Sequence, residues 1–303
     1  MKKAYVIVLG IILITLSLVT IFYNQNDKDE IEKEEFSYTP LLYKICDYDS
    51  CIHLLGSIHV GDDRVTKFND AIIDIYEKSE YLAVEVDTTN ISISEDMFLL
   101  HDETIDDLVN DETKSKLEDF ASKHLFFPYD SLKIFSLGYI QNYLSLLPAI
   151  ELGLLSSGVD DYFLKLASRD NKEIISIETY ESQLAFFTDY SNEFYIRQIE
   201  YAIDNYEQEK ELMKELYETY LTGDKEKIET ILSMEEDIES TEEEERYTQA
   251  MIYDRNILMT SNVQKFLEEN QNVFMIVGTA HVLGDGGIID LLKDKDYEIS
   301  IVK

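Results

Sequence analysis

Two histidines stand in the same local pattern. Ile52-His53-Leu54-Leu55-Gly56-Ser57-Ile58-His59-Val60 and Phe274-Met275-Ile276-Val277-Gly278-Thr279-Ala280-His281-Val282 each read as an apolar run, then G-x-x-H-V, then a turn containing Gly and Asp that leads into a helix. Two carboxylates end similar runs, Glu85 after Leu82-Ala83-Val84 and Glu178 after Ile174-Ile175-Ser176-Ile177. Two histidines and a carboxylate can hold a divalent metal and leave positions open for water and substrate. A histidine oriented by a carboxylate can instead activate water without metal, as a general base. The residue types leave both chemistries open. One G-x-x-H is weak by itself; its repetition after a second apolar strand is the stronger signal.

Glu85 is the most telling carboxylate. A strand reading Leu-Ala-Val-Glu-Val is apolar enough to be buried on both faces, and a buried carboxylate needs a cation or strong donors. Glu178 follows the same logic more weakly, because Ser176 and Thr179 make its strand end more polar. His53 reads as an outer-face residue of a hairpin strand. His101 and His124 lie in polar surroundings without a matched partner. Asp62, Asp63 and Arg64, just after the first motif, either cap the next helix or reach the site.

The elements that position these groups alternate in type. Leu41 to Cys46 and Cys51 to Gly56 flank Asp47-Tyr48-Asp49-Ser50, the pattern of a β-hairpin with a four-residue loop. Cys46 and Cys51 would face each other across its mouth, either as a disulfide or as two free thiols. Val65, Phe68, Ile72 and Ile75 mark the buried face of an amphipathic helix. A strand over Tyr81–Val86 follows, then helices to about Leu155, a helix after Gly158 and a strand over Ile174–Ile177. The chain is helical and acidic from Glu181 to about Asn270, with Glu235 to Glu245 as a solvated loop or helix end. A strand over Val273–Val277, a helix over Ile288–Leu292 and a strand over Tyr297–Val302 close the domain. The fold class this predicts is α/β, a mixed sheet with flanking helices and a helical insertion. Ligands of such sheets bind outside the carboxyl ends of the strands, where His59, Glu85, Glu178 and His281 all fall.

At 303 residues, 45% of them apolar, the chain can bury a large core and is not globally disordered. Its 26 Lys and Arg against 62 Asp and Glu give a formal charge of −36. Nucleic acid and anionic lipid would both repel that surface, so neither is expected as a partner.

Lys2 and Lys3 precede an uncharged run from Ala4 to Tyr23. At about 1.5 Å per helical residue this run reaches roughly 30 Å, the thickness of a bilayer core. The lysines predict a cytoplasmic N-terminus. Residues 1–3 then form a cytoplasmic stub, 4–23 a single transmembrane helix, 24–36 an acidic tether and 37–303 an extracellular domain. The alternative is a cleaved signal peptide, but no small-x-small cleavage site stands near Thr20 to Asn24.

Taken together and in order, the motifs resemble the TraB/PrgY/GumN family, which includes the Tiki metalloproteases. The resemblance rests on Gly56 to Arg64, Leu82 to Asp87 and Gly278-Thr279-Ala280-His281. It extends to Gly158-Val159-Asp160-Asp161 through Lys172, Ile177-Glu178-Thr179, Gln183, Asp254-Arg255-Asn256 and the tail Gly284 to Leu292. It implies a fold related to the erythromycin esterase and haem-binding ChaN-like proteins. It also implies hydrolysis of peptides or protein N-termini with a divalent metal such as Mn, Co or Zn, or interference with peptide pheromones outside the cell. Carried over by residue, His59 and His281 are the paired-motif histidines, Glu85 the strand carboxylate, and Arg255 and Asn256 late site residues. On this reading His59, Glu85 and His281 bind the metal, or Glu85 acts as the base beside it, and Arg255 could stabilise an oxyanion. Tyr43 and Tyr220 stand where relatives often carry Trp, and Ser57 replaces a common Thr. A metal-free esterase-type hydrolase and a non-catalytic protein that sequesters a peptide or haem are the alternatives.

Overall fold

A computed structural model describes residues 3–4, 38–89, 91, 95–155, 158–236 and 240–302. The sheet is built from β1 (Leu42–Cys46), β2 (Cys51–Ser57), β3 (Tyr81–Val84), β4 (Glu173–Ser176), β5 (Val273–Gly278) and β6 (Glu298–Ile301), in the order β4-β3-β5-β2-β1-β6. β4, β3, β5 and β2 run parallel, whereas β1 pairs antiparallel with β2 and β6. The expected mixed α/β architecture is therefore present. β5 lies in the middle, and all six of its residues are buried. Its continuous apolar run suits a strand covered on both faces.

The helices that matter for the site are α1 (Asp70–Lys78), α2 (Asp111–His124), α3 (Leu137–Glu151), α4 (Val159–Asp170), α5 (Tyr180–Thr188), α6 (Asn192–Asp204), α7 (Tyr206–Thr222), α8 (Lys225–Leu232), α9 (Glu242–Thr248), α10 (Arg255–Glu268) and α11 (Ile288–Leu292). One sheet face carries Leu55, Leu82, Phe274 and Ile276 against Ile72, Phe163 and Tyr220 of α1, α4 and α7. Alternate strand residues, Leu54, Ala83, Met275 and Val277, point the other way onto Ile228, Met259, Val263 and Ile288 of α8, α10 and α11. A third core belongs to the helical insertion, where Phe120, Ile140, Phe186, Ile199 and Tyr247 pack together.

Several boundaries differ from the expected ones. Val65 belongs to a turn and Phe68 to the irregular stretch after it rather than to a helix, and α1 begins only at Asp70. The side chain of Asn69 accepts from the Ile72 amide and caps the helix there. Val65 is nevertheless fully buried, so its apolar character reported burial and not helix. β4 is an edge strand with no fully buried residue, since it pairs only with β3. The hairpin is as expected, with Cys46 opposite Cys51 and the two joined in a disulfide. Asp47 organises its loop by accepting from the amides of Asp49 and Ser50.

Lys3–Ala4 pair with Glu235–Glu236 in a separate two-residue antiparallel ladder. The remainder of the apolar segment, 5–23, and the tether, 24–36, lie outside the described residues. Among the described residues no helix is long and apolar enough to cross a membrane.

Candidate functional site

β2, β3, β5 and β4 deliver their carboxyl ends to one edge of the sheet, and the four residues singled out there come together. Ser57 pairs with Gly278 across the parallel ladder, and Thr279 donates from Oγ1 to the Ser57 carbonyl at 2.9 Å. The two G-x-x-H motifs are thus neighbours, offset by one residue, and Gly56 leaves just enough room for Thr279. They leave the sheet differently. Thr279–Val282 form a single helical turn, while the chain after Ser57 is irregular up to Gly61.

Each histidine is held through Nδ1. His59 Nδ1 lies 2.9 Å from Asp160 Oδ2, and Ser57 Oγ donates to the other Asp160 oxygen at 3.1 Å. His281 Nδ1 lies 2.7 Å from Asn256 Oδ1. The Asn256 Nδ2 donates to the Gly286 carbonyl at 2.9 Å, which fixes the amide so that only its oxygen faces His281. Both partners accept, so both Nδ1 atoms carry the hydrogen and both Nε2 atoms are left to face the site. A Cβ placed on Gly278 would lie 3.6 Å from His59 Nε2, 3.6 Å from His281 Cδ2 (the atom bonded to Nε2) and 3.3 Å from Glu85 Oε1. The missing side chain of Gly278 is the gap around which the three groups gather.

Glu85 is 2% exposed. Its Oε1 accepts from the Gly278 amide at 2.6 Å and its Oε2 from Arg255 Nη2 at 2.5 Å. Backbone bonds from Ile177 to Val84 and from Glu178 to Glu85 bring Glu178 alongside. Glu178 binds Arg255 Nε and Nη2 and the Gln183 side chain. Arg255 Nη1 lies near the Met251 carbonyl and sulfur, so every guanidinium nitrogen faces a protein acceptor. The buried cation demanded by Glu85 is Arg255, placed directly after a π-helical turn, Gln249–Asp254.

The electrostatics separate the two histidines. For His281, burial and then Arg255 push the pKa down to about 3, so it is neutral. For His59 burial also acts downward, but the adjoining Asp160 outweighs it and the net direction is up. Burial would raise Glu85, yet Arg255 and the neighbouring histidines hold it well below the usual carboxylate range. Arg255 acting on one ring and Asp160 on the other thus make two different bases.

All six expected residues, His59, Glu85, Glu178, Arg255, Asn256 and His281, fall within this one buried cluster. Asp62 does not reach it, accepting instead from Arg64 and from Tyr217. His124 lies elsewhere, stacked on Phe120 and near Glu151. Asp160 is the residue that the motif reading included in the resemblance but gave no role in the site. It shares the buried stripe of α4 with Phe163, Leu164 and Ala167, and a carboxylate on that stripe was the available signal. Gly158 makes the approach possible, since a Cβ there would meet the His59 carbonyl oxygen at 2.5 Å.

The fold and site define an α/β protein with paired histidine motifs and buried carboxylates at the carboxyl ends of parallel strands. The profile of the TraB/PrgY/gumN family matches residues 41–301. The chain belongs to that family. No curated protein and no solved structure matches it.

Proposed function

We propose that the chain is a divalent-metal-dependent hydrolase of peptide bonds, anchored by residues 4–23 with its domain outside the membrane. The observation that carries this reading is the gap at Gly278, bordered by His59, His281 and Glu85. The donor set fits a divalent ion, with two imidazole Nε2 lone pairs and a carboxylate oxygen. Among the described residues no three such side chains already stand at ligand spacing, and Glu85 accepts from Arg255 and the Gly278 amide. His59 and His281 would hold the metal, with Glu85 completing the set or serving as base. A bound divalent metal would polarise the scissile carbonyl and lower the pKa of water. Asp160 and Asn256 keep the ring orientations, and Arg255 keeps Glu85 ionised at neutral pH. In the net reaction water adds its oxygen to the carbonyl carbon, the C–N bond breaks, and the amine takes the proton.

The Asp160–His59 pair favours a second reading, a metal-free hydrolase with His59 as base. One experiment separates them. Full-length chain purified in detergent is assayed for metal content and, by mass spectrometry, for cleavage of a peptide library with Mn, Co or Zn. His59→Ala and His281→Ala should each abolish cleavage and lower metal affinity, without additivity between them. Glu85→Gln loses metal if Glu85 is a ligand; if it is the base, metal stays and the rate falls by about 10²–10⁴-fold. Full cleavage by folded His281→Ala sinks the site, and cleavage without any metal selects the second reading.

A further inference from the structure

The gap at Gly278 continues into a cavity whose far wall is apolar. Leu216 and Tyr220 of α7, Ile228 and Leu232 of α8, Ile252 of the π-helical turn and Ala280 of the second motif form that wall. Among the described residues no Asp, Glu, Lys or Arg lines the cavity, although charged residues make up 29% of the chain. Tyr220 presents its ring, since its hydroxyl donates to the Gly56 carbonyl at 2.9 Å and accepts from Tyr38 at 2.6 Å. The π-helical turn matters here. It sets Ile252 into the apolar wall while the next residues, Arg255 and Asn256, hold Glu85 and His281. Such turns recur at functional sites because they re-aim neighbouring side chains.

We infer that this cavity, about 30 Å³ in volume, receives a small apolar side chain of the substrate, the one adjoining the reacting carbonyl, and that the chain selects peptides with Ala there. The inference rests on the peptide-hydrolase reading and adds the substrate class. An aliphatic side chain gains by leaving water for such a wall. A charged one would lose its hydration with no counter-group to replace it. Glu85 beside the gap offers a cationic side chain no counter-charge, because Arg255 already pairs with it.

The test uses full-length chain in detergent micelles and a peptide series identical except at one position, which carries Leu, Val, Ala, Phe, Ser, Asp or Lys. Cleavage with Mn, Co or Zn is read by mass spectrometry. Ala should exceed Leu, Phe, Ser, Asp and Lys by at least about tenfold in kcat/KM. Leu232→Ala should move the preference toward Val and Leu. Cleavage without preference, or a preference that this substitution does not move, overturns the cavity assignment and leaves the hydrolase reading standing. If no peptide is cleaved, the hydrolase reading fails and equilibrium binding of the same series decides. Binding of the Ala peptide at least about tenfold tighter than the Leu and Asp peptides, with Leu232→Ala narrowing the gap to Leu, upholds the cavity's role. Equal or absent binding overturns it.

Discussion

Arg255 closes on Glu178 through two nitrogens, Nε at 2.7 Å from Oε1 and Nη2 at 2.9 Å from Oε2. The same Nη2 also reaches Glu85. One buried guanidinium thus serves two buried carboxylates from adjacent strand ends. It ties the late helix α10 to the middle of the sheet. The planar fork of Arg meets this bidentate demand, which a lysine ammonium cannot.

Arg255→Met should therefore destabilise the fold severely, because it leaves Glu85 and Glu178 buried without a cation. Removing one partner of a buried pair costs roughly 3–5 kcal/mol. Arg255→Lys should recover only part of this. Urea melts of the three proteins at neutral pH measure the difference, and a change within about 0.5 kcal/mol, typical of an exposed surface site, would refute it.

Asp160→Asn keeps the shape beside His59 but loses the charge and can turn a donor toward Nδ1. Loss of such an orienting partner typically costs 10–100-fold in metal affinity or activity. The expected result is that loss with a melting temperature changed little. His281 and Asn256 are untouched, so Asn256→Asp offers the mirror comparison, replacing a neutral acceptor with a charged one.

A pH test comes from the helical insertion. Asp106 accepts from Tyr129 at 2.7 Å and from Lys114 and Lys133 at 3.0 Å. The Tyr129 hydroxyl, followed by the two lysines, lowers its pKa from 3.8 to about 2. A carboxyl lowered on folding stabilises fully above its unfolded value and loses that contribution as pH falls through the folded one. Its side chain is 25% exposed, so solvent screening keeps the effect near 1 kcal/mol. Asp106→Asn should cost about that much at pH 7, with the gap narrowing from about pH 4 toward pH 2. Urea melts at several pH values would show it. A gap that widens on acidification would contradict the assignment.

How far these relationships could be read from residue order depends on their range. The Cys46–Cys51 hairpin is local, and the alternating runs either side of four turn-forming residues were enough to place it. The G-x-x-H pair was legible because both copies keep the same strand-then-turn grammar. The demand of Glu85 for a cation was legible too, but its pairing with Arg255 spans 170 residues, and only the family resemblance placed Arg255 near the site. Asp160 stood within the resemblance but received no role, for a different reason. An acid in the first turn of a helix ordinarily serves the helix dipole, and nothing local distinguishes one that instead turns to a histidine. Val65 shows the same limit for apolar residues, since burial in a turn and burial in a helix leave similar patterns.

Gly278 offers the sharpest separation of function from stability. Its backbone, φ −52° and ψ 137°, is open to any L residue, so conformational freedom is not what the position requires. A methyl there would stand 3.6 Å from His59 Nε2, an ordinary contact, and 3.3 Å from Glu85 Oε1, where the carboxylate must give by a few tenths of an ångström. Gly278→Ala should therefore fold, with a loss below about 1 kcal/mol, in the range of well-tolerated core changes. The methyl would nevertheless occupy the gap between the two histidines and the carboxylate, so activity should fall by at least about 100-fold, as expected when reacting groups are displaced by an ångström. Gly158→Ala is the contrast. Its methyl would collide with the His59 backbone, with the carbonyl oxygen at 2.5 Å and the carbonyl carbon at 2.6 Å. That clash should cost about 1–3 kcal/mol and push α4 away from His59. Thermal melts and peptide cleavage measured on both variants decide the matter. If Gly278→Ala keeps wild-type cleavage while folded, the gap is not where substrate reacts.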